Sequence, residues 1–339
     1  MKLIRTEDAV GHVLCHDMTQ IIKDKYKDAR FRKGHVVTEE DIPVLLSMGK
    51  AHLYVWEMTP GMVHENDAAE RLLTLCGQEN MLRSEVKEGK IELKAACDGV
   101  FLVDSQRLIA VNSQDEVMIA TRRGGTAVRA GDKLAGMRVI PLIIAEEKLQ
   151  KAERAAGGEP LLSLKPYVRK TACIVATGGE VKKGLIQDTF TPVVIDKLRT
   201  YGIETLEVVY SGDGVENVRD AVLAMRERNP DMVLCTGGMS VDPDDNTPSG
   251  IRAAGADIVC YGAPVLPGAM FLVSYLDGVP VCGLPGCVMY AKRTIFDLLL
   301  PRLLADDAIT AEDIARLGEG GLCLGCAECH WPNCGFGHC

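Results

Sequence analysis

The chain has 339 residues, 47% apolar and 25% charged, with a net charge of −9. That length allows two or three domains with ordinary cores, and that charge argues against non-specific nucleic-acid binding as the main activity. No apolar run approaches the ~20 residues needed to cross a bilayer. Met1 to Asp8 lacks the apolar core of a signal peptide, so the expectation is a cytoplasmic protein that engages neither nucleic acid nor membrane.

Of thirteen cysteines, eight are scattered before residue 300 and five fall in the last seventeen residues. Several of the eight (Cys173, Cys235, Cys260, Cys282) lie inside apolar runs, where a reduced cysteine behaves as a small hydrophobe. The split disfavours a secreted disulfide framework and points to a terminal metal site.

Residues 1–60 read as a first segment with a small apolar start, a charged stretch from Lys23 to Lys33 that is an exposed loop or hairpin, and a helix. Thr38 is placed to cap that helix, with Glu39, Glu40 and Asp41 in its first turn and Gly49 as its terminator. Ala51 to Trp56 follows as a strand. Residues 61–150 form a β-rich subdomain with a helix from Asn66 to Cys76, short β-runs between 90 and 145, and a charged helical connector from Glu146 to Ala156.

From Arg169 onward strands and helices alternate. Ala172–Ala176, Thr205–Tyr210 and Asp231–Cys235 are strands, separated by helices over Pro192–Tyr201 and Val215–Arg228. A hairpin turning at Asp277-Gly278 and a helix from Met289 to Leu304 complete the pattern. Such alternation implies a mostly parallel sheet covered by helices over residues 165–305. The whole chain is therefore expected to be α/β, with an N-terminal α+β part, a β-rich insert and a small metal-binding tail over 318–339.

Three glycine turns follow three of the apolar strands: Thr177-Gly178-Gly179, Thr236-Gly237-Gly238 with Ser240 beyond it, and Gly283-Leu284-Pro285-Gly286. One Gly-Gly turn is ordinary, but three at strand ends of one parallel sheet can line a single edge. Their backbone N–H groups would then form a cradle for phosphate or another oxyanion. Carboxylates sit close by in sequence: Glu180, Asp188, Asp242, Asp244 and Asp245. Thr247-Pro248 reads as a helix cap followed by proline at the first helical position.

The ordered set Ala176-Thr177-Gly178-Gly179-Glu180, Gly184 to Thr189, Thr236-Gly237-Gly238-Met239-Ser240 and Gly283-Leu284-Pro285-Gly286 resembles the molybdopterin-binding domain. That domain occurs in molybdopterin molybdenumtransferase, molybdopterin adenylyltransferase and the competence-damage-inducible proteins. Ala9-Val10-Gly11, Leu14 and the stretch from Gly34 to Val55 are similar to the opening segments of the molybdenumtransferase. Asp245-Asn246-Thr247-Pro248 resembles the Asp-x-Thr-Pro of the adenylyltransferase.

The resemblance implies that the glycine turns hold a pterin and its phosphate. It implies that Glu180, Asp188 and Asp245 serve the reaction, and that Asp242 and Asp244 join them in an acidic stretch suited to Mg²⁺. The implied activity is insertion of molybdate into adenylated molybdopterin with release of AMP, by a homodimer. The alternatives are a carrier or sensor that delivers the finished cofactor to a molybdoenzyme or another cofactor-synthesis protein, and a nucleotide-pyrophosphate hydrolase of the competence-damage-inducible type. Three departures matter. Gly179 stands where the family usually has aspartate, and Cys287-Val288 stand where it has Asn-Pro. Val265 to Met270 also lacks the two lysines that the molybdenumtransferase carries around a Pro-Gly, leaving Arg252 and Lys292 as candidate replacements.

The tail from Cys323 to Cys339 carries Cys323, Cys326, Cys329, His330, Cys334, His338 and Cys339. Two overlapping C-x-x-C steps and added histidines at this spacing suit Zn²⁺ or a [4Fe–4S] cluster.

Overall fold

The computed structural model describes residues 2–22, 26–55, 60–240, 242 and 245–337. They form two units. The first comprises Met1–Cys97, Leu102–Gly124 and Ala130–Leu164, and the second comprises Asp98–Phe101, Gly125–Arg129 and Lys165–Cys339. The expected segment 1–60 and most of 61–150 thus share the first unit, while residues 98–101 and 125–129 of the latter fall in the second with 165–305 and 318–339. Among the described residues no helix is long and apolar enough to cross a membrane.

In the first unit Lys2–Arg5 pairs antiparallel with His52–Val55; Trp56 lies outside the described residues. Within the charged stretch Tyr26–Phe31 pairs antiparallel with Met18–Ile22; residues 23–25 lie outside the described residues. The helix expected from Thr38 starts later, at Asp41. The Asp41 carboxylate accepts from both the backbone N and the hydroxyl of Thr38, each at 2.8 Å. It thereby closes residues 38–41 into a turn that precedes the helix.

A four-stranded antiparallel sheet follows, in the order Met81–Arg83, Lys90–Ala95, Lys133–Val139, Val117–Thr121. It packs on helix Glu65–Cys76, which buries Ala68, Ala69, Leu72, Leu73 and Cys76. The reading of residues 90–145 as mostly β misses helix Ser105–Asn112, which Asp104 starts by accepting from Arg107 N at 3.0 Å. Helix Glu146–Ala156 forms as expected.

The second unit is built on a six-stranded sheet. Its strands are β1 (Thr171–Thr177), β2 (Glu204–Ser211), β3 (Met232–Thr236), β4 (Asp257–Tyr261), β5 (Leu272–Leu276) and β6 (Val279–Leu284), and their spatial order is 2-1-3-6-5-4. Strands β2, β1, β3 and β6 run parallel, and β5 is reversed, pairing antiparallel with β6 on one side and β4 on the other. Its helices are α1 (Gly179–Lys182), α2 (Phe190–Arg199), α3 (Val215–Arg226), α4 (Thr247–Ala253), α5 (Ile295–Leu304) and α6 (Ala311–Arg316).

Alternate residues of each strand feed two separate cores, as a sheet buried on both faces requires. Ala172, Ile174, Met232, Leu234, Cys282 and Leu284 meet Val194 and Leu198 of α2 and Phe296, Leu299, Leu300 and Leu303 of α5. Cys173, Val175, Val233, Cys235 and Val281 meet Val218, Val222 and Met225 of α3 and Ile251 of α4.

Two helix starts differ from expectation. The helix read from Met289 is a 3-10 turn over Gly286–Met289 followed by α5 at Ile295. Thr294 and Asp297 form a reciprocal capping box there, which fixes the helix start and stops it extending backward. Thr247 does not cap α4. Asn246 holds that position, while Thr247 lies inside the helix and is buried. Helix α2 is opened by Asp188, whose Oδ1 accepts from Phe190 N at 2.9 Å and Thr191 N at 3.0 Å. Burial opposes the charge on Asp188, but these bonds, with the hydroxyls of Thr191 and Tyr210, hold its carboxyl below the usual aspartate range.

The cysteine-rich tail packs onto the second unit. Phe336 is 4% exposed in the core beside α5, and the Arg293 guanidinium lies 4.4 Å from the Trp331 ring centroid. Leu322 bridges Leu266, with Cys323 N bonded to Leu266 O and Leu266 N to Gly321 O, both at 2.8 Å.

Phe336→Ala is expected to destabilise the chain by about 3 kcal/mol in urea unfolding and to expose the tail to rapid proteolysis; a resistant tail would mean that Phe336 does not anchor it. Asp188→Ala is expected to cost about 1 kcal/mol at neutral pH. A lowered folded-state pKa contributes stability above the unfolded value and loses it as pH falls. The gap between wild type and Asp188→Ala should therefore narrow below about pH 4, as read from unfolding at a series of pH values.

Candidate functional site

The site starts from register. Thr177 at the end of β1 pairs with Ser211 at the end of β2, Ala176 pairs with Thr236 of β3, and Thr236 pairs with Leu284 of β6. All four parallel strands therefore end along one edge, and the three predicted glycine turns leave from it side by side. In open α/β sheets this edge is where ligands bind.

The first two turns are locked together by threonines. Thr177 Oγ1 donates to Thr236 O at 2.9 Å, and Thr247 Oγ1 donates to Gly237 O at 2.9 Å. The two hydroxyl oxygens lie 3.2 Å apart, and Thr247 N bonds Gly238 O at 3.1 Å. Gly237 and Gly238 both have left-handed φ, +83° and +56°. A Cβ on Gly237 would collide with the Thr177 carbonyl, and one on Gly238 would lie 2.6 Å from Thr247 Oγ1. Both positions thus need glycine for conformation and for room. Ser240, just past this turn, is exposed.

Of the third predicted turn, Gly283 and Leu284 still belong to β6, and Gly283 packs against Met239, whose sulfur would sit 2.5 Å from any Cβ there. Pro285 leads into the 3-10 turn, and nothing lies within 4 Å of where a Gly286 Cβ would be, so space above that turn is open. Burial pushes the thiol of neighbouring Cys287 up, which disfavours it as a thiolate nucleophile.

The predicted acids fare differently from one another. Glu180 is exposed on α1. Asp188 is engaged in starting α2. Asp245 is half-buried; its Oδ2 accepts from Asp242 N at 3.3 Å and its own N bonds Asp242 O at 2.9 Å. Beneath that loop the Tyr261 hydroxyl donates to Met239 O at 3.0 Å. Burial and, after it, the Asp245 carboxylate raise the Tyr261 pKa, so it stays a donor. Asp242 is exposed, and Asp244 lies outside the described residues.

Among the described residues no three His, Cys, Asp or Glu side chains gather closely enough to hold a metal. Asp242 and Asp245 alone therefore do not make a fit for Mg²⁺. The same holds in the tail, where Cys326, Cys329 and His330 are exposed while Cys323 and Cys334 pack against the core. His338 and Cys339 lie outside the described residues.

The loop Val265 to Met270, where the family's lysines are absent, is bonded to the tail through Leu266. Of the candidate replacement cations, Arg252 is exposed in the last turn of α4. Lys292 is exposed, and its carbonyl accepts from Lys197 Nζ at 3.2 Å. A different cation reaches the edge. Lys182 of α1 extends over Gly212, with Nζ 4.0 Å from where a Cβ would stand.

That glycine belongs to a fourth turn, Ser211-Gly212-Asp213-Gly214, at the end of β2, which the sequence reading passed over. Asp213 Oδ2 accepts from Gly179 N at 2.8 Å, and Gly178 N bonds Ser211 O at 3.2 Å. The signal was present in the sequence: two glycines flanking an aspartate directly after a predicted strand.

Comparison with known proteins is consistent with this geometry. Residues 173–305 match a family described as a probable molybdopterin binding domain, and residues 3–57 match a domain of unknown function (DUF8806). The chain is 32% identical over 80 residues to a CinA-like protein of Mycobacterium tuberculosis, a match covering 24% of this chain and 19% of that protein. It is 28% identical over 113 residues to a probable FAD synthase of Caenorhabditis briggsae, covering 33% of this chain and 21% of the other. The chain thus spans about a fifth of the length of these curated relatives.

Among solved structures, the molybdopterin biosynthesis moea protein from Pyrococcus horikosii matches with 15% identity and a TM-score of 0.34 over 91% of this chain and 76% of the other. The molybdopterin biosynthesis enzyme MoaB from Thermus thermophilus matches with 17% identity and a TM-score of 0.34 over 42% of this chain and 98% of the other. Through residues 173–305, the chain carries a domain of the molybdopterin-binding family.

Proposed function

We propose that this domain binds molybdopterin with the phosphate at its glycine turns, and that the chain acts in molybdenum cofactor biosynthesis by inserting molybdate into adenylated molybdopterin. The observation that carries the binding is the shared strand edge. Register brings the Gly178-Gly179, Gly237-Gly238 and Gly286 turns together, and two of these glycines have no room for a side chain. In the first turn Gly178 N is taken by Ser211 O and Gly179 N by Asp213; the backbone N–H groups of the second and third turns, held this way, need no reorganisation when an anion arrives.

In the reaction, water cleaves the phosphoanhydride of the adenylated pterin and AMP leaves; the two sulfurs of the freed pterin dithiol then bind molybdate, and one oxo oxygen departs as water with the two thiol protons. Asp245 is the carboxylate best placed to act, being half-buried in the loop between the second turn and α4. Glu180 stands exposed beside the first turn, and Asp188 serves as the start of α2. A second reading, a carrier that holds the finished cofactor without turnover, is favoured by the loop at Leu266. It carries no lysine and is bonded to the tail.

The deciding experiment incubates the purified chain with adenylated molybdopterin, with and without molybdate and Mg²⁺, and follows AMP. Molybdate-dependent AMP release is expected. Tight binding without AMP would establish the carrier, and molybdate-independent cleavage a pyrophosphate hydrolase. Asp245→Asn is expected to lower turnover at least a hundredfold while leaving pterin affinity within threefold; unchanged turnover removes Asp245 from the reaction. Gly237→Ala is expected to weaken binding of inorganic pyrophosphate at least tenfold in calorimetry, and equal affinity would dismiss the second turn as an anion site.

A further inference from the structure

Of the twelve cysteines among the described residues, only Cys326 and Cys329 are exposed. Burial pushes the thiols of Cys76 and Cys235 up to about 12 and raises those of Cys173 and Cys260 as well. Such groups stay protonated and inert, because the thiolate is the reactive form and reaction needs access. Within the tail, Cys323 and Cys334 pack against the α5 core. The accessible thiols of the described residues are therefore gathered in one step, Cys326-Ala327-Glu328-Cys329.

The tail does not present this step on a loose end. Gly337 N bonds Gly320 O at 2.9 Å, closing residues 320–337 into a loop. At the loop's entry Cys323 N and Gly321 O bond Leu266, and a Cβ on Gly321 would collide with the carbonyls of Leu317 and Pro264. At its exit Phe336 is buried and Trp331 lies under Arg293. Between these anchors every residue from 324 to 330 is exposed, and nothing lies within 4 Å of where a Gly325 Cβ would stand. With the ends fixed, closing a short ring between the two thiols costs little further chain entropy. No group of three metal-ligating side chains forms here among the described residues. What the step offers is a pair, at the C-x-x-C spacing of a dithiol that opens and closes as a disulfide.

We propose that Cys326 and Cys329 are a redox-active dithiol that closes to a disulfide by exchange with a low-molecular-weight disulfide. One cysteine thiolate attacks a sulfur of the small disulfide, forming a mixed disulfide and releasing one small thiol. The other cysteine thiolate attacks the protein sulfur of that mixed disulfide, forming the Cys326–Cys329 bond and releasing the second small thiol. The pair gives up two electrons and two protons, and the small disulfide takes up both to end as two thiols. Exposed disulfides are the labile ones, so excess small thiol reverses the exchange. This chemistry is independent of the pterin reading above.

Intact-mass analysis of the full chain tests the proposal with oxidised glutathione as the probe, after treatment with chelator and reductant and removal of both. The wild type is expected to lose two hydrogens and two alkylatable thiols and to retain no glutathione. Cleavage after Glu328 should then leave fragments that stay joined until a reductant is added. Cys326→Ser and Cys329→Ser should each stop at the mixed disulfide and keep one glutathione. A wild type that keeps the adduct or does not react, or closure that persists in either serine variant, would overturn the proposal. So would a chain that is purified with one equivalent of metal and whose Cys326 and Cys329 resist alkylation until chelator is added, since the step would then be part of a metal centre.

Discussion

The second unit depends on the in-register ending of four parallel strands. Parallel pairing of β2, β1, β3 and β6 sets Ser211, Thr177, Thr236 and Leu284 along one edge, and each strand leaves the sheet there through a glycine-containing turn. A shift of one residue in any pair would exchange the two faces of that strand and destroy both cores at once. The site geometry is thus protected by the same burial that stabilises the domain.

Above that edge the residues divide their work. Thr177 and Thr247 commit their hydroxyl protons to carbonyls of the second turn, which fixes backbone rather than ligand. Asp188 starts α2, and Asp213 fills the place left by glycine at 179. Carboxylates of one chemical type therefore serve three purposes: helix start, loop closure by Asp245 on the Asp242 backbone N, and a charged wall at the first turn. Sequence proximity to the glycines does not distinguish them, because a carboxylate caps, bridges or binds according to which N–H lies within reach.

The tail belongs to the same structural logic. Phe336 enters the α5 core, Trp331 lies under Arg293, and Arg293 bonds Asp297 at 3.1 Å, the residue that with Thr294 caps α5. On its other side the tail is stitched to Leu266. Its apolar and aromatic residues decide where it sits, while its exposed thiols at Cys326 and Cys329 face outward.

The sequence alone determined the α/β alternation, five of the six strands of the sheet and the three glycine turns, because apolar runs and glycine doublets are local signals; it passed over β4, Asp257–Tyr261. It also carried the family resemblance of residues 173–305. It did not determine that Thr247 ties the second turn instead of capping a helix, that α5 begins at Ile295, or that Ser105–Asn112 is helical, since each is decided by competing hydrogen bonds at a chain turn. Nor did it single out Asp213. That residue stands 34 positions from Gly179, and only the parallel pairing of β1 with β2 brings its carboxylate to the glycine that makes room for it.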